Sequence, residues 1–220
     1  MKNTTKDPAI FLSEKDPIMA AIIENTTLYH KVDYEKDVYL ALLDSVVSQQ
    51  ISVKAAESIF IRFKALFENN YPSAEGVVSK SEEELRSAGL SFQKIGYLRN
   101  VAHFHIERGI HYDQFQKLSD EEIVQYLIPI KGIGRWTVEM LLMFVMDRPD
   151  VFPIDDLVVR QKMMRGYDIN DLKGKPLYNK LNEIAENWRP FRTYASRYLW
   201  KWQPLQQIVD SKIADSSIVR

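Results

Sequence analysis

The two glycines at 132 and 134 constrain this chain more than any other pair of residues. They lie in Leu127-Ile-Pro-Ile-Lys-Gly-Ile-Gly-Arg-Trp-Thr-Val-Glu139, between two segments whose apolar residues recur at helical spacing. Gly-Ile-Gly at such a junction is a tight turn joining two helices. Without side chains there, the N–H groups from about Gly132 to Trp136 can approach an anion closely, at the positive N-terminal end of the second helix. A phosphate is the natural guest. A bare Gly-x-Gly is more often a plain glycine-capped corner, so the rest of the chain has to decide.

Composition narrows the choice mainly by exclusion. With 220 residues, 45% of them hydrophobic, the chain can bury one substantial core or two small helical lobes. No apolar run reaches the roughly 18 residues of a membrane span. The opening Met1-Lys-Asn-Thr-Thr-Lys-Asp-Pro8 lacks the apolar block of a secretory signal, so an intracellular protein is expected, in a bacterial cytoplasm or a eukaryotic nucleus. The absence of cysteine removes disulfides, thiolate catalysis and thiolate-held iron–sulfur clusters, and the four histidines show no metal-ligand spacing. A net charge of −1 means that any nucleic-acid site has to be local.

Taken in order, residues 1–12 read as a polar tail and 13–220 as a helical domain. Asp16-Pro17 opens a helix that ends near Asn25, and a second runs from about Asp37 to Ser48 with Val38, Leu42, Ser45 and Val46 inward. Ser52 caps a helix reaching about Phe67. Ser73, Ser81 and Ser91 cap three more, and Ser119-Asp-Glu-Glu122 starts the helix that enters the glycine turn. His103 and His105 stand two apart and cannot share a helix face, so they read as one exposed and one partly buried histidine. Nothing alternates helices with β-branched runs, so the fold class is all-α. Asp155-Asp156 precedes Leu157-Val-Val-Arg-Gln-Lys162, which puts a capping carboxylate pair at the positive end of a helix.

Together these motifs carry a family resemblance. Ile130-Lys-Gly-Ile-Gly-Arg-Trp-Thr137 followed by Val151-Phe-Pro-Ile-Asp-Asp156 resembles the helix-hairpin-helix and Gly/Pro-rich loop with aspartate of one superfamily of DNA glycosylases. The Gly-Arg-Trp-Thr form is similar to its 3-methyladenine DNA glycosylase II branch. The resemblance covers about residues 15 to 205. It implies two helical lobes around a cleft, with the hairpin (127–139) and the catalytic loop (151–157) facing it. The missing cysteines separate the chain from the branches that carry a four-cysteine cluster after the aspartate.

The resemblance also assigns residues. Asp156 falls on the catalytic aspartate, and Asp155 on a supporting position. Gln49 and Gln50 fall in the loop that enters the minor groove, with Gln50 the better match, and Ser52 follows them. Lys131, Gly132, Ile133, Gly134, Arg135 and Thr137 form the DNA-binding hairpin. Trp136 occupies the slot where bifunctional relatives carry a lysine nucleophile, which removes that lyase step and leaves an indole that can stack on an extruded base. Met140, Tyr194 and Trp202 line the same pocket, although Tyr194, Tyr198 and Trp202 at helical spacing also suit core packing. Arg189, Arg192 and Arg197 read as a structural ion-pair set. The backbone carbonyls of Ile128, Ile130 and Ile133 match positions that hold a sodium or potassium ion; no other cofactor is required.

The implied function is a monomeric, monofunctional glycosylase that excises alkylated purines such as 3-methyladenine and 7-methylguanine from duplex DNA. Deaminated or oxidised bases on the same fold, or a non-catalytic DNA-docking hairpin, are the alternatives. Asp156 argues against the last, because a pure binder gains nothing from a carboxylate where phosphates must approach.

Overall fold

In the computed structural model, which describes residues 7–28 and 36–203, those residues form thirteen α-helices, one short 3-10 turn at Glu68–Asn70 and no strand. The order begins with α1 (Pro8–Lys15), α2 (Pro17–Glu24), α3 (Val38–Ser48) and α4 (Val53–Lys64). It continues through α5 (Ala74–Ser79), α6 (Glu82–Ser87), α7 (Phe92–Arg108), α8 (Tyr112–Phe115) and α9 (Asp120–Leu127). The last four are α10 (Arg135–Phe144), α11 (Leu157–Gly166), α12 (Gly174–Glu186) and α13 (Arg192–Lys201).

Side-chain caps set most of the starts. Asp16, Asp37, Ser52, Ser73, Ser81, Ser91 and Ser119 each accept a first-turn N–H, and Ser81–Glu84 and Ser119–Glu122 are reciprocal capping boxes. Several expected bounds move. The polar-tail reading of residues 1–12 fails at Pro8, because Asp7 accepts from the N–H groups of Ala9 and Ile10 and α1 buries Leu12 completely. The expected final helix from Trp188 starts only at Arg192, after Pro190, while Trp188 itself is core. The helix capped by Ser52 ends at Lys64, short of Phe67.

The chain divides into two compact units. One comprises the described residues of 1–30 and 149–220, where α1, α2, α11, α12 and α13 close on Leu12, Met19, Ile22, Met163, Leu181 and Trp188. Asp16 joins its ends. Besides capping α2, it accepts the Tyr167 hydroxyl at 2.5 Å and the Trp188 indole N–H at 2.9 Å. Burial pushes the Tyr167 hydroxyl well above the usual phenol range, so it stays a donor.

The other unit, the described residues of 31–148, holds α3 to α10. In it α7 packs on α3, α5 and α6, and α10 packs on α9 and α3. Among the described residues no helix is long and apolar enough to cross a membrane. The glycine turn belongs to this second unit and Asp156 to the first.

Candidate active site

The glycine turn is held from behind. Buried Ile130 and Ile133 plug it, with the Ile133 N–H donating to the Ile130 carbonyl at 2.9 Å. Gly132 has φ +105°, and a Cβ there would lie 2.3 Å from Cγ of Tyr97, so the α7 ring occupies the space a side chain would need. The Gln49 amide donates to the Gly132 carbonyl at 3.0 Å, and the Asn100 amide to the Lys131 carbonyl at 3.1 Å. Two successive peptide planes are therefore fixed by side chains from elsewhere in the unit. Tyr97 and Asn100 carry no sequence signal of this role; they are one α7 turn apart and are recognised only when the turn is in place.

Gly134 differs. It caps α10 with an ordinary φ of −103° and no capping side chain, and a Cβ added there would meet nothing within 4 Å. Neither conformation nor internal packing asks for glycine. What the missing side chain leaves open is the approach to the first turn of α10, whose N–H groups have no partner within the helix.

Around the turn the expected contacts separate. Gln49 faces the hairpin, whereas exposed Gln50 sits in the left-handed region at φ +59°, a conformation a non-glycine residue adopts at a cost. Ser52 caps α4, accepting from Ala55 at 3.3 Å. Lys131 is exposed. Arg135 makes a two-pronged bond to Glu121 at 2.7 and 2.9 Å, and that bond holds the Glu121 carboxyl below its usual range. Thr137 is buried, in contrast to the exposed Lys131, Gly134 and Arg135. Trp136 is 42% exposed on the first turn of α10, so it is no core residue, and Met140, one turn on, is half-buried.

In the other unit the loop before α11 is pinned at its start. The Val151 N–H donates to the buried Thr193 hydroxyl at 3.0 Å, and Asp150 accepts from Arg189 at 2.6 Å and Arg192 at 2.8 Å. Those two arginines also pair with Glu186, while Arg197 lies over the Tyr194 ring at 5.9 Å. Asp156 closes the loop as the N-cap of α11. Its side chain is 7% exposed, and its Oδ1 accepts both the Val159 N–H at 2.8 Å and the Trp200 indole N–H at 2.9 Å. Asp155 is the exposed one of the pair. It accepts the Tyr178 hydroxyl at 3.0 Å, and that hydroxyl accepts from Arg160 at 2.7 Å.

Tyr194, Trp200 and Trp202 are all partly buried against one core. Tyr194 and Trp202 pack against the hydrophobic core of their unit, Trp202 beside Gly166. The indole beside Asp156 belongs to Trp200, one residue past Leu199 and on no apolar stripe that periodicity singles out. No cluster of three or more His, Asp or Glu suited to a metal occurs among the described residues. Ile128 is the C-cap of α9, and the Ile130 carbonyl accepts the Ile133 N–H, which leaves it a second lone pair.

Comparison with known proteins gives one pattern. A family model described as the HhH-GPD superfamily of base excision DNA repair proteins matches residues 43–190. DNA-3-methyladenine glycosylase 1 of Schizosaccharomyces pombe is 40% identical over 173 residues, 78% of this chain and 75% of its own length. The DNA-3-methyladenine glycosylase of Saccharomyces cerevisiae is 34% identical over 206 residues, covering 86% of this chain and 67% of the yeast protein. The structure of S. pombe 3-methyladenine DNA glycosylase in complex with abasic DNA has a TM-score of 0.77 at 36% identity, over 88% of this chain and 95% of that one.

Proposed function

The chain belongs to the HhH-GPD superfamily of base excision DNA repair proteins, and on that premise we propose that it is a monofunctional DNA glycosylase hydrolysing the N-glycosidic bond of alkylated purines. The observation that carries the reading is Asp156, a buried carboxylate fixed at a helix N-terminus by a main-chain and an indole donor. Breaking a base–sugar bond gives the anomeric carbon oxocarbenium character, which an oriented carboxylate stabilises while it directs water to the far face. The target nucleotide has to leave the stack first, since no protein carboxylate reaches that carbon inside an intact duplex.

The remaining residues supply binding and selection. The first turn of α10, open at Gly134, takes a backbone phosphate, with Lys131 beside it. Exposed Gln50 fills the gap left by the extruded nucleotide, and Gln49 braces the hairpin. Trp136 stacks on the base. A purine carrying methylation charge gains about 1–2 kcal/mol from such a face once desolvated, and its charge already makes it a good leaving group. The carbonyls of Ile128, Ile130 and Ile133 would hold a sodium or potassium ion, which when bound adds positive charge beside that phosphate. The partner is duplex DNA, and the chemistry requires no second copy of the chain. Relatives named 3-methyladenine glycosylases support the lesion class.

The test is excision from duplexes carrying 3-methyladenine, 7-methylguanine, hypoxanthine, uracil or an oxidised guanine, followed by hot alkali. Release of the two methylated purines is expected, and release of only the deaminated or oxidised bases would replace the substrate. Because the nucleophile slot holds Trp136, strands should stay uncut until alkali is added, and borohydride should trap no adduct. Efficient nicking with a trapped imine would mean that another amine, such as Lys131, acts.

A further inference from the structure

Lys162 lies six residues after Asp156 on α11, about 9 Å along the helix axis. Its ammonium donates to the main-chain carbonyl of Trp200 at 2.9 Å and also to that of Trp202. Both carbonyls belong to the last turn and cap of α13, where a helix leaves its C=O groups without internal partners and favours a cation. Trp200 is therefore gripped twice by one helix: its carbonyl by Lys162, its indole N–H by Asp156.

We propose that Lys162 is a positioning residue for base release, pinning the end of α13 to α11 so that the Trp200 indole N–H stays on the Asp156 carboxylate. The inference rests on the reading of Asp156 as the carboxylate that faces the sugar. An ammonium taken partly out of water is a costly way to join two helices when stability alone is at stake, because an apolar side chain of similar length serves that purpose as well. What the ammonium adds is direction. It takes two specific oxygens and so fixes both the rotation and the axial position of the turn that carries Trp200. The loss of solvation is visible in Lys162 itself, whose pKa burial draws below the usual lysine value.

The consequence is a chain of dependence, with Lys162 acting on Trp200 and Trp200 on Asp156. Loss of the ammonium should let the indole drift, and small displacements of a reacting group are expensive in rate.

Single-turnover release of 7-methylguanine from a duplex, affinity for an abasic-analogue duplex, and the Trp200 indole N–H resonance read this together. For Lys162→Met the rate should fall roughly tenfold, with duplex affinity within about twofold of wild type. The indole resonance should move, and Lys162→Arg, which restores two N–H donors, should recover most of the rate. In a Trp200→Phe background, Lys162→Met should cost nothing further, since the indole N–H through which Lys162 acts on Asp156 is already gone. If Lys162→Met does not fold, Lys162→Leu, which also lacks a donor, carries the same cycle. Wild-type rate in the folded variant, an unmoved indole resonance, or a full additional loss on top of Trp200→Phe would each overturn the proposal. Asp156→Asn run in parallel separates the two claims: retained excision there removes the reading of Asp156, whereas an inactive Asp156→Asn beside an additive cycle removes only the role of Lys162.

Discussion

The glycines at 132 and 134 look equivalent in the sequence and are not equivalent in the structure. Gly132 has a positive φ and a tyrosine ring where its side chain would be; Gly134 has an ordinary φ and open space. Gly132→Ala should therefore lower stability by roughly 2–4 kcal/mol, through backbone strain and the clash with Tyr97. Gly134→Ala should leave the thermal midpoint nearly unchanged and weaken binding to every duplex alike, because a methyl group meets the phosphate and not the protein. Thermal unfolding with DNA titration checks both, and a destabilised but fully DNA-competent Gly134→Ala would contradict the assignment. The same resolution applies to the glutamine pair: one side chain braces the turn, the other is presented in a strained conformation.

Between elements, α9 and α10 are joined by the Arg135–Glu121 pair, which is exposed on both sides. Such a pair contributes about 0–1 kcal/mol to stability, so its larger effect falls on ligand binding. Glu121 occupies a guanidinium at the first residue of α10 and sets a negative charge nearby. Glu121→Gln should tighten binding to undamaged duplex and steepen its salt dependence by about one phosphate's worth, read by anisotropy across a salt series. Unchanged affinity would mean that Arg135 stays away from the backbone. At the end of α7, His105 accepts the Ile110 N–H through Nδ1 at 3.0 Å and stacks on Tyr39. Burial, with a smaller contribution from His111, holds its pKa below the usual histidine value, against the opposing pull of Asp37 and Glu75. A group whose folded pKa is depressed stabilises the fold above its unfolded pKa, so this contribution is lost as pH falls from about 7 towards 5. His105→Gln should flatten the decline of the thermal midpoint over that interval, and an unaltered slope would assign it to other groups.

Across the whole molecule, legibility followed the chemistry of helix starts. Where a Ser or Asp cap precedes an apolar stripe, as at Asp16, Ser91 and Ser119, the element was readable to within a residue or two. α12 begins at Lys173–Gly174 with no side-chain cap, and α1 hides its Asp7-Pro8 start within a polar stretch, so neither announces itself. Motif residues were readable because their types and spacing are demanded locally: glycines at a turn, a carboxylate at a helix cap. Residues that act across the fold were not. Tyr97, Asn100, Trp200 and Lys162 find their partners on elements distant in sequence, and no periodicity marks a side chain whose partner lies about 30–45 residues away. The central claim is that the Asp156 carboxylate performs the chemistry, and Asp156→Asn tests it with little structural disturbance, since asparagine also caps helices. Single-turnover release of 7-methylguanine by that variant should be at least about 10²-fold slower, with abasic-duplex affinity unchanged or tighter because a negative charge near phosphates is gone. Excision at the wild-type rate would contradict the account.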